Sequence, residues 1–288
     1  MTSPRLGFKR MVVGLPQTMA DRAAIDVAAN LAEFLQVELL AAFIADPALR
    51  ALAEWPAARE LRTLGQGWQT IDPAQIKHDI EQMSAIAQRR FAETVGSRSI
   101  KTGFDVVMGA QMLASLIHAD DILAILEPDH PGERITRQFT SLLDTAFTSA
   151  AAILAVPRRV LRPTGPILAV AADGSDHNNL RLALQIAAAS KERLLVATPP
   201  GARLPPEILA EAERQGVPIE QIFTGPSQQP LAMALPSVRS NERLRIVARD
   251  QLPADAPQLF ANLRGIPVLV VEPERTGARA ESEERHAD

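Results

Sequence analysis

The chain has no cysteine. That excludes a disulfide framework, a thiolate nucleophile and any cysteine-built metal site. Tyrosine is also missing and tryptophan occurs twice. No apolar run approaches the roughly 20 residues of a membrane-crossing helix, so no membrane is expected as a partner. The opening MTSPRLGFKRMVVG lacks the apolar stretch of a secretory signal, which points to a cytoplasmic protein. Positive charge is in short supply: 30 Lys and Arg stand against 34 Asp and Glu, a net charge of −4. The densest charge run, Glu281–Glu284, contains no cation. Nucleic acid is thereby disfavoured as a partner, because neutralising phosphates takes clustered Lys and Arg.

What the sequence does contain is a repeated strand–turn–helix pattern in a globular composition, 47% apolar and 22% charged over 288 residues. The clearest copy is Pro166–Ala189, PILAVAADGSDHNNLRLALQIAAA. Ile167–Ala172 is an apolar run suited to a strand buried on both faces of a parallel sheet. Asp173-Gly174-Ser175-Asp176 supplies a turn and side chains able to cap a helix start. Leu180, Ala183, Leu184 and Ala187 then recur at helical spacing.

The same alternation begins earlier. Strands are predicted at Arg10–Leu15, Val37–Ala45, Ile100–Val107, Asp121–Leu126 and Ala151–Val156. Helices fall between them at Met19–Leu35, Ala74–Val95, Gln111–His118 and Ile135–Ser149. Residues 47–73, with both tryptophans, read as an irregular insertion carrying one short helix. The stripe Ile76, Ile80, Met83 and Ile86 reads as core, with partner surface as the alternative in so long a helix. After the linker Pro157–Gly165 the pattern restarts, with strands Ile167–Ala172, Arg193–Thr198, Ile219–Phe223, Leu244–Ala248 and Ile266–Val271. Helices are expected at Asn178–Ala189, Pro206–Gln215, Gln228–Val238 and Pro257–Leu263. Val27 and Ala28 then correspond to Ile186 and Ala187, so the chain is an internal duplication. The expected domains are 1–157, with the insertion, and 166–273, followed by a disordered polar tail at 274–288. The fold class is α/β: two flavodoxin-like domains, each a five-stranded parallel sheet with helices on both faces.

Asp173-Gly174-Ser175 admits two readings, capping of the following helix or contact with a ligand at the carboxyl end of a strand. A haloacid dehalogenase-type acid site is excluded, since Ala171 stands where the nucleophilic Asp would be. Asp173, Asp176 and His177 offer metal-ligand atoms but come from one loop, and a solvated turn is the better reading. Asp120, Asp121, Glu127, Asp129 and His130 form a comparable set, placed by the strand pattern at the mouth of the first half. No metal is therefore expected. There is no Gly-x-Ser-x-Gly elbow, hence no case for acyl transfer and no catalytic residue.

Through ILAVAADGSDHNNLRLALQIA, VELLAAFIADP and IPVLVVEP, each half resembles a universal stress protein domain, and the whole resembles a tandem of two. The resemblance implies an ATP site built from a strand-end Asp and a Gly-x-x-Gly-x9-Gly-Ser/Thr loop after the fourth strand. Such a loop needs glycine so that backbone can approach phosphates closely. Here the three glycine positions of the first half fall on Leu126, Asp129 and Phe139, with Thr140 in the hydroxyl position and Gly14 in place of the Asp. In the second half Arg249–Pro257 contains no glycine. Asp173, Gly174 and Ser175 are the elements that match. The resemblance then implies a non-enzymatic module in stress response or regulation with a degenerate ATP site. The alternative is a nucleotide-binding sensor or weak ATPase holding ATP or AMP around Asp173. It also implies an unidentified protein partner, and pairing of Ile153–Val156 with Ile266–Val271 as an intramolecular pseudo-dimer, with a homodimer as a further option.

Overall fold

In the computed structural model the apolar runs lie side by side as parallel strands. Residues 7–16, 22–62, 67–128, 132, 136–171, 177–223, 241–252 and 265–272 are described. The chain divides into two compact units, one of Gly7–Val160 and one of Leu161–Asp288 with Met1–Leu6.

The first unit runs β1 (Arg10–Pro16), α1 (Arg22–Leu35), β2 (Glu38–Ala45), α2 (Pro47–Glu54), β3 (Arg59–Arg62), β4 (Gly67–Thr70), α3 (Pro73–Val95), β5 (Thr102–Met108), α4 (Gly109–Leu116), β6 (Asp121–Leu126), α5 (Arg137–Ser149) and β7 (Ala152–Val156). Its parallel pairings give the order β5-β2-β1-β6-β7. The second unit runs β8 (Ile167–Val170), α6 (His177–Ser190), β9 (Leu194–Thr198), α7 (Pro206–Gln215), β10 (Ile219–Phe223), β11 (Leu244–Ala248) and β12 (Val268–Val271). Its order is β10-β9-β8-β11-β12, again parallel throughout. The α/β class holds. Counted along each unit, and leaving the β3–β4 hairpin aside, the strand order is 3-2-1-4-5. Flavodoxin itself runs 2-1-3-4-5.

Several strands are mostly apolar and buried along their whole length because both faces are covered. All six residues of β6 and all five of β7, β9 and β11 are buried. In the first unit α1 packs on α3 and α4 on α5. These two helix pairs belong to crossovers that run in opposite directions from β1, which puts them on opposite faces. Helix starts follow the expected chemistry. Asp46 accepts from the N–H of Ala48 at 2.8 Å and Asp72 from that of Ala74 at 2.9 Å, each followed by a proline at the first helical position.

Two expectations change. The insertion is more regular than its composition suggests: besides α2 it holds the antiparallel hairpin β3–β4. The stripe on α3 is not core. Ile76, Ile80 and Met83 are half-exposed and Ile86 is 47% exposed, whereas the buried residues of α3 are Phe91, Thr94 and Val95 in its last turns. The reason is length. A helix of 23 residues spans about 34 Å, against about 23 Å for the seven residues of β5. The first half of α3 therefore overshoots the sheet and packs on α2. Periodicity marks which side of a helix faces inward, not how deep that side lies.

Candidate functional site at the carboxyl ends of the strands

In a sheet of order 3-2-1-4-5 the crossovers reverse direction between strands 1 and 4, opening a crevice at their carboxyl ends. That crevice lies between β1 and β6 in the first unit and between β8 and β11 in the second.

The first crevice is built from apolar side chains and internal bonds. Gly14, in the position of the resembled family's Asp, is not at a strand end. β1 continues through Leu15 and Pro16, paired with Phe43 and Ile44. A Cβ added at Gly14 would meet Ile44 Cδ1 at 3.1 Å, so a carboxylate there needs that side chain to give way. At the end of β6, the N–H of Glu127 donates to Val156 O at 2.8 Å. Its Oε2 accepts from the N–H of Arg158 at 2.6 Å. Glu127 thus ties the end of the fourth strand to the segment leaving the fifth, and puts a negative charge at the carboxyl end of β6. Phe139 is a buried helical residue. Thr140 spends its hydroxyl on the carbonyls of Thr136 and Arg137, both at 3.1 Å, inside α5. Asp129 and His130 lie outside the described residues.

The acidic set expected at this mouth is split by the fold. Asp121 begins β6 and Glu127 follows its end, about 20 Å apart for a six-residue strand. At the amino end, His118, Asp120 and Asp121 bring ligand atoms within 4.8 Å of one another. Two cations already neutralise them. Arg10 Nη2 donates to Asp121 Oδ2 at 2.6 Å and to Leu116 O at 2.8 Å, while Lys9 Nζ sits 2.5 Å from Asp120. The shifts follow. A hydrogen bond from Lys9 holds the Asp120 carboxyl below the usual carboxylate range and in return raises Lys9, and the bond to Asp121 raises Arg10. This cluster is an electrostatic clamp between β1 and β6.

The second crevice is different. Asp173, Gly174 and Ser175 lie outside the described residues, as does Asp176. At the carboxyl ends of this unit's strands three described residues are polar and buried: Asn179 in the first turn of α6 and Thr198 at the end of β9 at 0% exposure, and Gln251 after β11 at 8%. Gln221 Nε2 donates to Thr198 Oγ1 at 2.7 Å and to Ala202 O at 2.9 Å. Gln251 Oε1 is buried without a hydrogen-bond partner. Arg249, at the end of β11, is ion-paired with Glu272. Among the described residues, the buried polar side chains of the first unit are Thr94 and Asp121, both at the opposite end of the sheet. Sequence reading missed Asn179, Thr198 and Gln251. The available signal was that each follows or ends an apolar run at a strand's carboxyl end.

No protein-family model and no curated protein matches the chain. Solved structures do. Over 93% of its length the chain is similar to a universal stress protein from Archaeoglobus fulgidus DSM 4304, covering 98% of that chain, with a TM-score of 0.58 and 12% identity. The fold is universal stress protein-like. A second similar structure is the cytoplasmic domain of a prokaryotic cation chloride cotransporter, with a TM-score of 0.48 and 10% identity, covering 92% of this chain and 96% of that one. No described helix is long and apolar enough to cross a membrane. At this level of identity the likeness concerns the universal stress protein fold; the chemistry rests on the residues at the two crevices.

Proposed function

We propose that this chain is a non-enzymatic tandem universal stress protein-like module of stress response or regulation, two five-stranded domains that act by binding rather than by turnover. The observation that carries the reading is the Glu127–Arg158 bond at 2.6 Å. It occupies the place of a triphosphate cradle with an internal carboxylate contact. Gly14 against Ile44 supports it, since the Asp of the resembled family would fit there only if the Ile44 side chain gave way. Pairing of β7 with β12 inside one chain belongs to the same reading, as does a cytoplasmic location.

A second reading is favoured by one observation, the buried Asn179, Thr198 and Gln251 at the second crevice. It makes the second unit a nucleotide-binding sensor around Asp173, with Gly174 and Ser175 beside the ligand. The two readings separate in a thermal melt of wild type and Asp173→Ala with ATP, AMP or none. Under the first, neither nucleotide shifts either protein, and the variant loses about 1 kcal/mol as a missing helix cap. Stabilisation of wild type by about 2.7 kcal/mol at a hundredfold excess over Kd, lost in Asp173→Ala, would overturn it. With no glycine loop to cradle phosphates, any such affinity should be nearly equal for AMP and ATP.

A further inference from the structure

The hairpin in the insertion presents a surface that neither crevice uses. β3 and β4 form a two-stranded sheet of their own, with Arg59 opposite Thr70 and Leu61 opposite Trp68. Side chains alternate along a strand, so these four share one face and Glu60 and Gln69 share the other. The burial agrees: Glu60 and Gln69 are half-buried, whereas Leu61 is 57% and Trp68 66% exposed. Trp55, at 63%, and Leu52, at 42%, come just before the hairpin. A two-stranded ribbon is marginal in water by itself, and clustered exposed aromatics mark contact surfaces.

The make-up of the face identifies what covers it. Arg59 is exposed and has no hydrogen bond or ion pair, and it stands diagonally across from Trp68 on the same face. A guanidinium is attracted to the face of an indole. The two groups sit side by side in one copy, so a second copy turned about a twofold axis sets each Arg59 over the other's Trp68. Leu61 then lies against its own counterpart at the axis. Such a patch is its own complement, as an isologous dimer contact requires. Face-to-face contact also keeps the two bodies on opposite sides of the paired hairpins, since each body lies behind its own half-buried face.

We propose that this face of the β3–β4 hairpin takes a second copy of the chain. The proposal is independent of whether either crevice binds a nucleotide. Sedimentation velocity of the full chain across the micromolar range tests it. Wild type should dimerise, and Leu61→Ser, Trp68→Ser and Arg59→Glu should each weaken the dimer by about tenfold or more. Arg59→Lys, which keeps a cation, should weaken it less. All three positions are solvent-facing, so the melting temperature of dilute protein should stay within a degree or so of wild type. In Trp55→Phe the sole remaining indole is Trp68, and its emission should shift to shorter wavelength as concentration rises. A chain that stays monomeric through this range, or a dimer whose dissociation constant ignores all three disruptive substitutions, would overturn the proposal.

Discussion

Glu127 and Arg158 are 31 residues apart in sequence, and a carboxylate oxygen of the first accepts the backbone N–H of the second at 2.6 Å. The contact closes the end of β6 onto the segment leaving β7. A charged acceptor strengthens such a bond, and Glu127 is partly exposed, which weakens it. Glu127→Ala should therefore cost about 1 kcal/mol in urea unfolding. It should create no ATP affinity, because removing the charge supplies no backbone donors. An unchanged urea midpoint, or ATP binding gained by the variant, contradicts the assignment.

The clamp at the opposite end should matter more. Asp121 is 1% exposed and takes two contacts from Arg10, whose side chain is 18% exposed. Asp121→Ala removes the counter-charge of a part-buried guanidinium that keeps Leu116 O as an acceptor, and loss of a hydrogen bond between charged groups costs about 1.5–3 kcal/mol. Replacing both partners, as Arg10→Met with Asp121→Leu, should recover most of that loss. A single substitution costing under about 1 kcal/mol would show that the pair is not energetically coupled.

The neighbouring pair gives a pH dependence. Lys9 holds the Asp120 carboxyl below its ordinary value. A depressed carboxylate contributes stability above its unfolded pKa and loses it as pH falls through the folded value. Asp120→Asn should thus be slightly less stable than wild type at neutral pH, with the gap closing as the solution is acidified through the carboxylate range. The two groups are solvent-exposed, so added salt should shrink the gap as well. A gap that widens on acidification would reverse the sign assigned to the pair.

At the second crevice, Gln251 Oε1 is a buried acceptor with no donor. Such a group costs free energy that an apolar side chain of similar shape does not. Gln251→Leu should raise stability by about 1 kcal/mol, measured by denaturant unfolding without ligand. A loss of stability would show instead that the amide is satisfied and structural.

The sequence by itself determined the elements that rest on short-range rules. The bounds of β6, α7, β10 and β11 coincide with the runs Asp121–Leu126, Pro206–Gln215, Ile219–Phe223 and Leu244–Ala248. A short run rich in apolar residues marks a strand, and a proline or capping acid marks where a helix begins. The missing glycines were equally legible, since a phosphate cradle is a contiguous stretch of backbone. Tertiary structure alone decided which distant groups meet. Strand order set Arg10 on Asp121 at the amino end of β6 and Glu127 on Arg158 at its carboxyl end. The overshoot of α3 beyond the sheet left Ile76 and Ile80 partly in solvent. The pairing of Arg59–Arg62 with Gly67–Thr70 turned an irregular-looking insertion into a ribbon with one uncovered face. Periodicity reports a residue's side of its own element, over three or four neighbours. Which element covers that side depends on chain crossovers and relative lengths, and no local pattern encodes them.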